Sequence, residues 1–477
     1  MVNLKDREKV CSPSRRKLLL NLYRMSIFAF TVYTGKLFNV VYADDFIERS
    51  ASKFDLLRLT RNGSNRGTAY SQGNKILSLK DGSQLITYLE ADGDNVLLIL
   101  EQVDQTLKSI RRMIVGTAAG NHGGASIAID SNQILHIVYG PHAGPMQYRR
   151  SKKAFAWFDL ETEQKFGNLL TYPSLAIDSK NRLWVAARNS NGGKGNKGTI
   201  EVWSSDSKGT FHRTAIPMVN REFGYSAFSP SLHIDTLGRL HLLSTVHEGT
   251  DELLYGRYQA VSYLFSDDAG KTWKNSHQKI LELPATVEQT GVIYEGGMTV
   301  NKILTAGLCA TNANGQVYAH FHVERNNQSW NRSSLVLAKL LDNGVWRLYD
   351  LNKFCKMPIN YEFCDPGVMC MSKDTVRFAC NMQNVTNAER NSFSGVAWGH
   401  ESNRVAIGEF NLTTLKGHFN LLPRIDNLSG PYWLPNMQRQ TKQGEILSPP
   451  NVVIYTRGNP SGGYKAGKND IYIHRFS

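Results

Sequence analysis

Short apolar runs separated by compact polar turns recur along the chain. One reads Lys75-Ile76-Leu77-Ser78-Leu79-Lys80-Asp81-Gly82-Ser83-Gln84-Leu85; others run from Ser126 through Asp130 to Tyr139, from Tyr172 through Asp178 to Arg188, from Ser229 through Asp235 to Leu240 and, more loosely, from Asn312 to Val317. Each copy predicts a strand, an Asp/Asn/Gly turn and a second strand, because β-branched and aromatic residues fill the runs and no long amphipathic helical stretch separates them. The apolar anchors Leu85, Leu135, Leu183, Leu240 and Val317 are spaced by 50, 48, 57 and 77 residues. That period suits the blades of a β-propeller, where radial repetition leaves only short, protected sheet edges. The expected fold is all-β, a seven-bladed β-propeller: 434 residues (477 minus 43) at roughly 50 to 60 per blade allow seven or eight, and seven is the expectation.

Ser266-Asp267-Asp268-Ala269-Gly270-Lys271-Thr272-Trp273 matches the Asp-box pattern of sialidase-type propellers. In such proteins this turn is structural, so Asp268 is expected to hold a turn rather than to react.

Residues 1–43 read as an export signal: a basic segment through Arg24, an apolar stretch from Met25 to Tyr33, and a small-residue cleavage site at Val41-Tyr42-Ala43. Ser14-Arg15-Arg16-Lys17 resembles a twin-arginine leader. Lys36 interrupts the apolar run, which argues against a permanent membrane span. Residues 44–477 are then one secreted or periplasmic domain, expected to be a monomer.

The whole chain carries a formal charge of +14. The leader holds eight Lys/Arg and two Asp/Glu, which leaves +8 (14 minus 6) on the remainder. A basic exported domain suits a polyanionic ligand, because clustered positive charge raises the local anion concentration; a merely solvated basic surface is the plain alternative. No basic-aromatic nucleic-acid motif is present, and Gly192-Gly193-Lys194-Gly195 lacks the context of a phosphate-binding loop.

Beyond Cys11 the chain has an odd five cysteines, Cys309, Cys355, Cys364, Cys370 and Cys380, so at least one is outside any intramolecular disulfide. His320 and His322 alternate onto one face of a strand. Together with Cys355 and Cys364 they offer a four-ligand set for a structural zinc, against the alternatives of disulfides or buried thiols.

The run Asn121-His122-Gly123-Gly124 and the run Tyr139-Gly140-Pro141-His142 carry the most chemistry. If Asp130 to Ile134 is a turn, His122 lies eight residues before it and His142 eight after it, so an antiparallel hairpin brings both imidazoles to one open end. The next hairpin repeats the arrangement with Tyr172 six residues before Asp178 and Arg188 six after Arg182. Tyr225 is a further candidate, and Asn121, Arg188 and His247 are expected substrate contacts. The set lacks paired carboxylates, which argues against ordinary two-carboxylate glycoside hydrolysis. It fits β-elimination in a uronic-acid polysaccharide instead: a cation neutralises the carboxylate while a tyrosine and a histidine handle the C5 proton and the leaving oxygen. Arg188 is the natural carboxylate partner, being permanently charged and able to bind through two bonds.

At these residues, and at Tyr139 through Ser151, the chain resembles the propeller-type ulvan lyases, which cut the sulfated rhamnose-uronate polysaccharide of green algae. The resemblance implies a seven-bladed fold, cleavage to 4,5-unsaturated uronate ends, and no catalytic metal. It places His122 and His142 at the scissile site, a tyrosine acid or base at Tyr172 or Tyr225, and Arg188 on the carboxylate. It also implies a structural zinc. Two rivals stand beside it. A sialidase-like hydrolase needs an arginine triad and a Tyr/Glu nucleophile pair, which the sequence does not assemble; a noncatalytic carbohydrate-binding propeller keeps the basic channel without needing the Tyr172/Arg188 pairing.

Overall fold

The computed structural model describes residues 55–190, 197–207, 209–221, 226–249, 258–297, 302–325, 333–384, 400–425, 430–439, 450–459 and 467–476. The expected export signal and Tyr225 lie outside them.

The turns that punctuate the sequence are built as their composition predicts. Asp130, Asp178, Asp235 and Asn312 each accept, through Oδ1, the amide four residues on, at 2.8 Å from Ile134, 2.9 Å from Arg182, 2.9 Å from Arg239 and 3.0 Å from Gln316. The side chain thereby closes the turn that the backbone opens, which is why Asp and Asn stand there. The Asp box does the same: Asp268 accepts from Ser266 Oγ at 2.9 Å, from the Thr272 amide at 2.9 Å and from Thr272 Oγ1 at 2.7 Å. Its carboxylate is consumed by the turn, and the adjacent Trp273 is fully buried.

Strands on either side of these turns pair antiparallel into four-stranded meanders. One consists of Ile76–Ser78, Gln84–Asp92, Asn95–Val103 and Ser109–Ala118. Three further meanders begin with Ser226–Ile234, Lys302–Thr311 and Tyr361–Met371. Seven separate blade sheets were expected; hydrogen bonding instead links the strands into five sheets of eight, seven, four, four and five strands. Two features cause the merging. The 14-residue strand Gln164–Ile177 serves two meanders, its first half pairing with Gly144–Arg150 and its second with Leu183–Asn189. The single pair Gly63↔Glu90 joins the first meander to the next sheet.

That next sheet is closed by distant parts of the chain. Leu56–Gly63 pairs antiparallel with Asn469–Arg475, with Leu56 opposite His474 and Leu57 opposite Ile473. The segment that follows is held by the same sheet: Thr68 Oγ1 donates to the Leu434 carbonyl at 2.7 Å, and Trp433 Nε1 donates to the Asn65 carbonyl at 2.8 Å. Ala69, Trp433 and Leu434 form a small buried cluster there.

Candidate active site

The first hairpin delivers its histidines as its register dictates. Ser126 faces Val138, Ile127 faces Ile137, Ala128 faces His136 and Ile129 faces Leu135, so paired numbers sum to 264. His122 and His142 share that sum, and their rings stack with centroids 4.1 Å apart. The chain beyond the strands is drawn tight by glycine. A Cβ on Gly123 would lie 2.6 Å from the Gly140 carbonyl oxygen, and one on Gly124 would lie 2.2 Å from that of Ala69. Real side chains do not tolerate such approaches, so only glycine keeps His122 where it is.

The second hairpin contains a bulge. Ser174 faces Ala186 but Thr171 faces Arg188, so Tyr172 and Pro173 together stand opposite one residue. Tyr172 absorbs the irregularity at φ 61°, left-handed backbone that a tyrosine rarely adopts. The bulge aims the ring: the Arg188 guanidinium carbon sits 4.7 Å from the Tyr172 ring centroid. Strain of this kind costs on the order of 1–3 kcal/mol and persists where surrounding structure imposes it.

Two residues that sequence reasoning missed complete the cluster. Arg66 Nη1 donates to Tyr70 Oη and to His122 Nε2, the latter at 2.5 Å. The Tyr70 ring packs edge-on against Tyr172 at 4.8 Å and lies 5.7 Å from the His122 ring. Both residues belong to an irregular segment with no repeat signature, docked by the Thr68 and Trp433 bonds described above. A lysine anchors it from below. Buried Lys75 donates through Nζ to the carbonyl of Ala125 and to those of Gly73 at 3.1 Å and Tyr70 at 3.4 Å, stapling the Tyr70 segment to the strand after His122. Asn121 is buried and donates to Asn65 Oδ1 at 2.6 Å, so it positions the loop from within.

Electrostatics in the cluster are set by its burial and its two guanidiniums, Arg66 and Arg188. The His122 pKa falls to about 2, through desolvation first and then the charges of Arg66, His142 and Arg188. His142 is lowered by desolvation, Arg188 and Arg66. Both imidazoles are therefore neutral near pH 7. Arginine can only donate, so His122 Nε2 presents its lone pair to Arg66 and the ring hydrogen sits on Nδ1. The Tyr70 phenol is pushed well above its usual pKa, by burial foremost and by Tyr172 next, so it is a phenol and not a phenolate. Arg188 is 5% exposed, its Nε lacks a hydrogen-bond partner, and no carboxylate among the described residues forms an ion pair with it. A buried guanidinium without a counter-charge is costly on its own and strongly favourable once an anion arrives.

His247 is half-buried in Leu240–Glu248 opposite Ala227 and Gln259, and desolvation lowers its pKa. The expected zinc set is not assembled. Among the described residues no three His, Cys, Asp or Glu side chains are grouped to hold a metal ion. His320 Nδ1 accepts the Leu308 amide at 3.1 Å while Nε2 donates to the Pro366 carbonyl at 3.1 Å, and His322 Nε2 faces the Phe363 carbonyl at 3.1 Å. The ring nitrogens that would bind metal are thus turned to backbone. Cys355 and Cys364, like Cys309, Cys370 and Cys380, are free thiols, so no disulfide forms among them either.

Repeated antiparallel meanders closed by Asp and Asn turns, with an Asp box between outer strands, define an all-β repeat protein. The chain belongs to the BNR repeat-containing family, whose model matches residues 83–353, more than half of the sequence. Its fold is similar to that of a PL25 ulvan lyase solved bound to -[GlcA(1-4)Rha3S]-, with a TM-score of 0.61 at 12% identity over 88% of this chain and 95% of that one. A second PL25 ulvan lyase structure gives 0.60 at 13% identity over 88% and 95%. The polysaccharide lyase Uly1 gives 0.56 at 12% identity over 88% and 99%. Among curated proteins none matches the sequence.

Proposed function

We propose that this protein is an exported polysaccharide lyase that cleaves ulvan or a closely similar uronate polymer by β-elimination, on a seven-bladed propeller. The blade count follows from reading the eight-stranded and seven-stranded sheets as two linked meanders each, which with the other three sheets makes seven. The observation that carries the reading is Arg188: a buried guanidinium without a carboxylate partner among the described residues, beside two neutral imidazoles and two phenols. The similar fold of lyases solved with a uronate-containing ligand supports the substrate class.

In this mechanism Arg188 binds the uronate carboxylate through two N–H donors and stabilises the charge that develops when the C5 proton leaves. The lone pair of neutral His122 is taken by Arg66, so neutral His142, kept unprotonated by desolvation and the neighbouring cations, is the imidazole with a lone pair to accept a proton. Tyr172, held by its bulge against Arg188, either takes the C5 proton or gives one to the departing glycosidic oxygen, and the C4–O4 bond breaks as the C4–C5 double bond forms. Arg66 orients His122 and Tyr70 through its paired hydrogen bonds. Two-carboxylate hydrolysis is disfavoured, because no Asp or Glu contributes to the shifts of His122, His142 or Tyr70.

The test is ultraviolet absorbance of the conjugated unsaturated uronate while the protein acts on ulvan, with heparan and alginate as controls. A rise on ulvan supports the proposal. Binding without absorbance would favour a noncatalytic carbohydrate-binding propeller, and new reducing ends without absorbance a hydrolase.

A further inference from the structure

A second buried guanidinium lies away from the cluster. Arg439 is 5% exposed and lines a small cavity with His233, Cys309 and Cys370, between the first strands of three successive meanders, Ser226–Ile234, Lys302–Thr311 and Tyr361–Met371. The space is about 10 Å³, room for one water-sized body. The guanidinium's side-chain bond is to Ser174 Oγ at 3.0 Å, and its Nε lacks a partner. No described carboxylate pairs with it.

The groups around the cavity do not supply the missing charge. Burial pushes the Cys309 thiol up to about 12, so it is not a thiolate. His233 falls to about 3 and is neutral; its Nε2 accepts the Thr311 amide at 3.2 Å, which leaves the ring hydrogen on Nδ1 as a donor. Ser174 Oγ accepts both from Arg439 and from the Leu232 amide at 2.9 Å, and as a neutral hydroxyl it brings no counter-charge. Lys75, also buried, has its pKa lowered by desolvation first and by the Arg439 charge next, so it offers no counter-charge either. Uncompensated charge in a dry interior costs several kcal/mol unless a counter-ion enters.

We propose that the cavity beside Arg439 is a buried site for a monoatomic anion, chloride in practice, which supplies a counter-charge that none of the described residues provides. The small volume rejects sulfate, phosphate and carboxylates, and the donors suit a spherical acceptor. The proposal does not depend on the uronate chemistry.

Thermal unfolding of the full chain in sodium chloride and in sodium gluconate at equal ionic strength tests this. Chloride is expected to raise Tm by about 1 to 2 °C at tenfold over its Kd and to saturate, given an unfolding entropy near 2.1 cal/mol/K per residue. Arg439→Met should abolish the difference between the two salts. If that variant does not fold, crystals of the unaltered protein grown in bromide decide the matter, with an anomalous peak expected beside Arg439. Equal Tm in both salts, a chloride effect that survives Arg439→Met, or no bromide in the cavity would overturn the proposal.

Discussion

Acidification should destabilise this protein, and among its histidines with depressed pKa two show how much each contributes. His122 and His233 are buried and neutral, with folded pKa values of about 2 and about 3 against about 6.5 in an unfolded chain. Because the folded values are depressed, the unfolded chain binds more protons below pH 6.5, and stability falls as pH drops from there toward the folded pKa. At pH 5.5 each group costs about 1.4 kcal/mol, and since both folded values lie well below that pH, their uncertainty barely enters. Relative to pH 7.5 the pair removes about 2.7 kcal/mol, a large share of a typical 5–15 kcal/mol. Asp365 opposes them: burial raises its pKa to about 6, which restores about 0.8 kcal/mol over the same interval. The histidines win. Urea unfolding followed by tryptophan fluorescence at pH 7.5 and 5.5 measures the loss, and His233→Gln should shrink it by about 1.3 kcal/mol. A variant whose pH dependence matches the unaltered protein within about 0.5 kcal/mol would refute the claim that His233 is held neutral.

Other outcomes follow from the same geometry. Arg188→Met should lower turnover on the polymer by about 10²–10³, the usual cost of losing a charge-stabilising donor, while circular dichroism stays unchanged. Tyr172→Phe should keep substrate binding, measured by calorimetry, and abolish product absorbance; unchanged turnover would remove Tyr172 from the chemistry. Gly123→Ala forces a Cβ into the Gly140 carbonyl, displaces His122, and should reduce turnover about a hundredfold more than it reduces binding. Asp268→Ala should lower stability by about 1–2 kcal/mol, through loss of three turn hydrogen bonds, with kcat untouched.

The sequence exposes those parts of the site that obey the hairpin. His122 and His142 are legible because a fixed register with one turn makes equal offsets meet, and Tyr172 with Arg188 obeys the same count. The bulge that swings Tyr172 into left-handed backbone is invisible in the count, and it sets how the ring meets the guanidinium. Arg66 and Tyr70 carry no periodic signal, because they enter through tertiary bonds to Trp433 and Leu434 hundreds of residues away. The histidine pair at 320 and 322 does share a strand face, as alternation requires. What alternation cannot reveal is that the partner strand is irregular between Phe363 and Val368, with Gly367 at φ 57°, which leaves the Phe363 and Pro366 carbonyls for the two rings to meet.

The strand pairing between Leu56–Gly63 and Asn469–Arg475 bears on when the protein becomes active. Bringing Leu56 to His474 closes a loop of 418 residues (474 minus 56), an entropy cost of roughly 5 kcal/mol that no local contact can repay early. Arg66 and Tyr70 hang partly from that closing sheet, besides the Lys75 staple, so two of the six residues of the cluster lack part of their support until the far end of the chain has been made and docked. A ribosome-bound or clipped chain could hold every middle meander in place and still possess His122, His142, Tyr172 and Arg188 without full support for the arginine that orients His122. Under the proposed function, activity is expected to follow the docking of that far strand, which completes the support of Arg66.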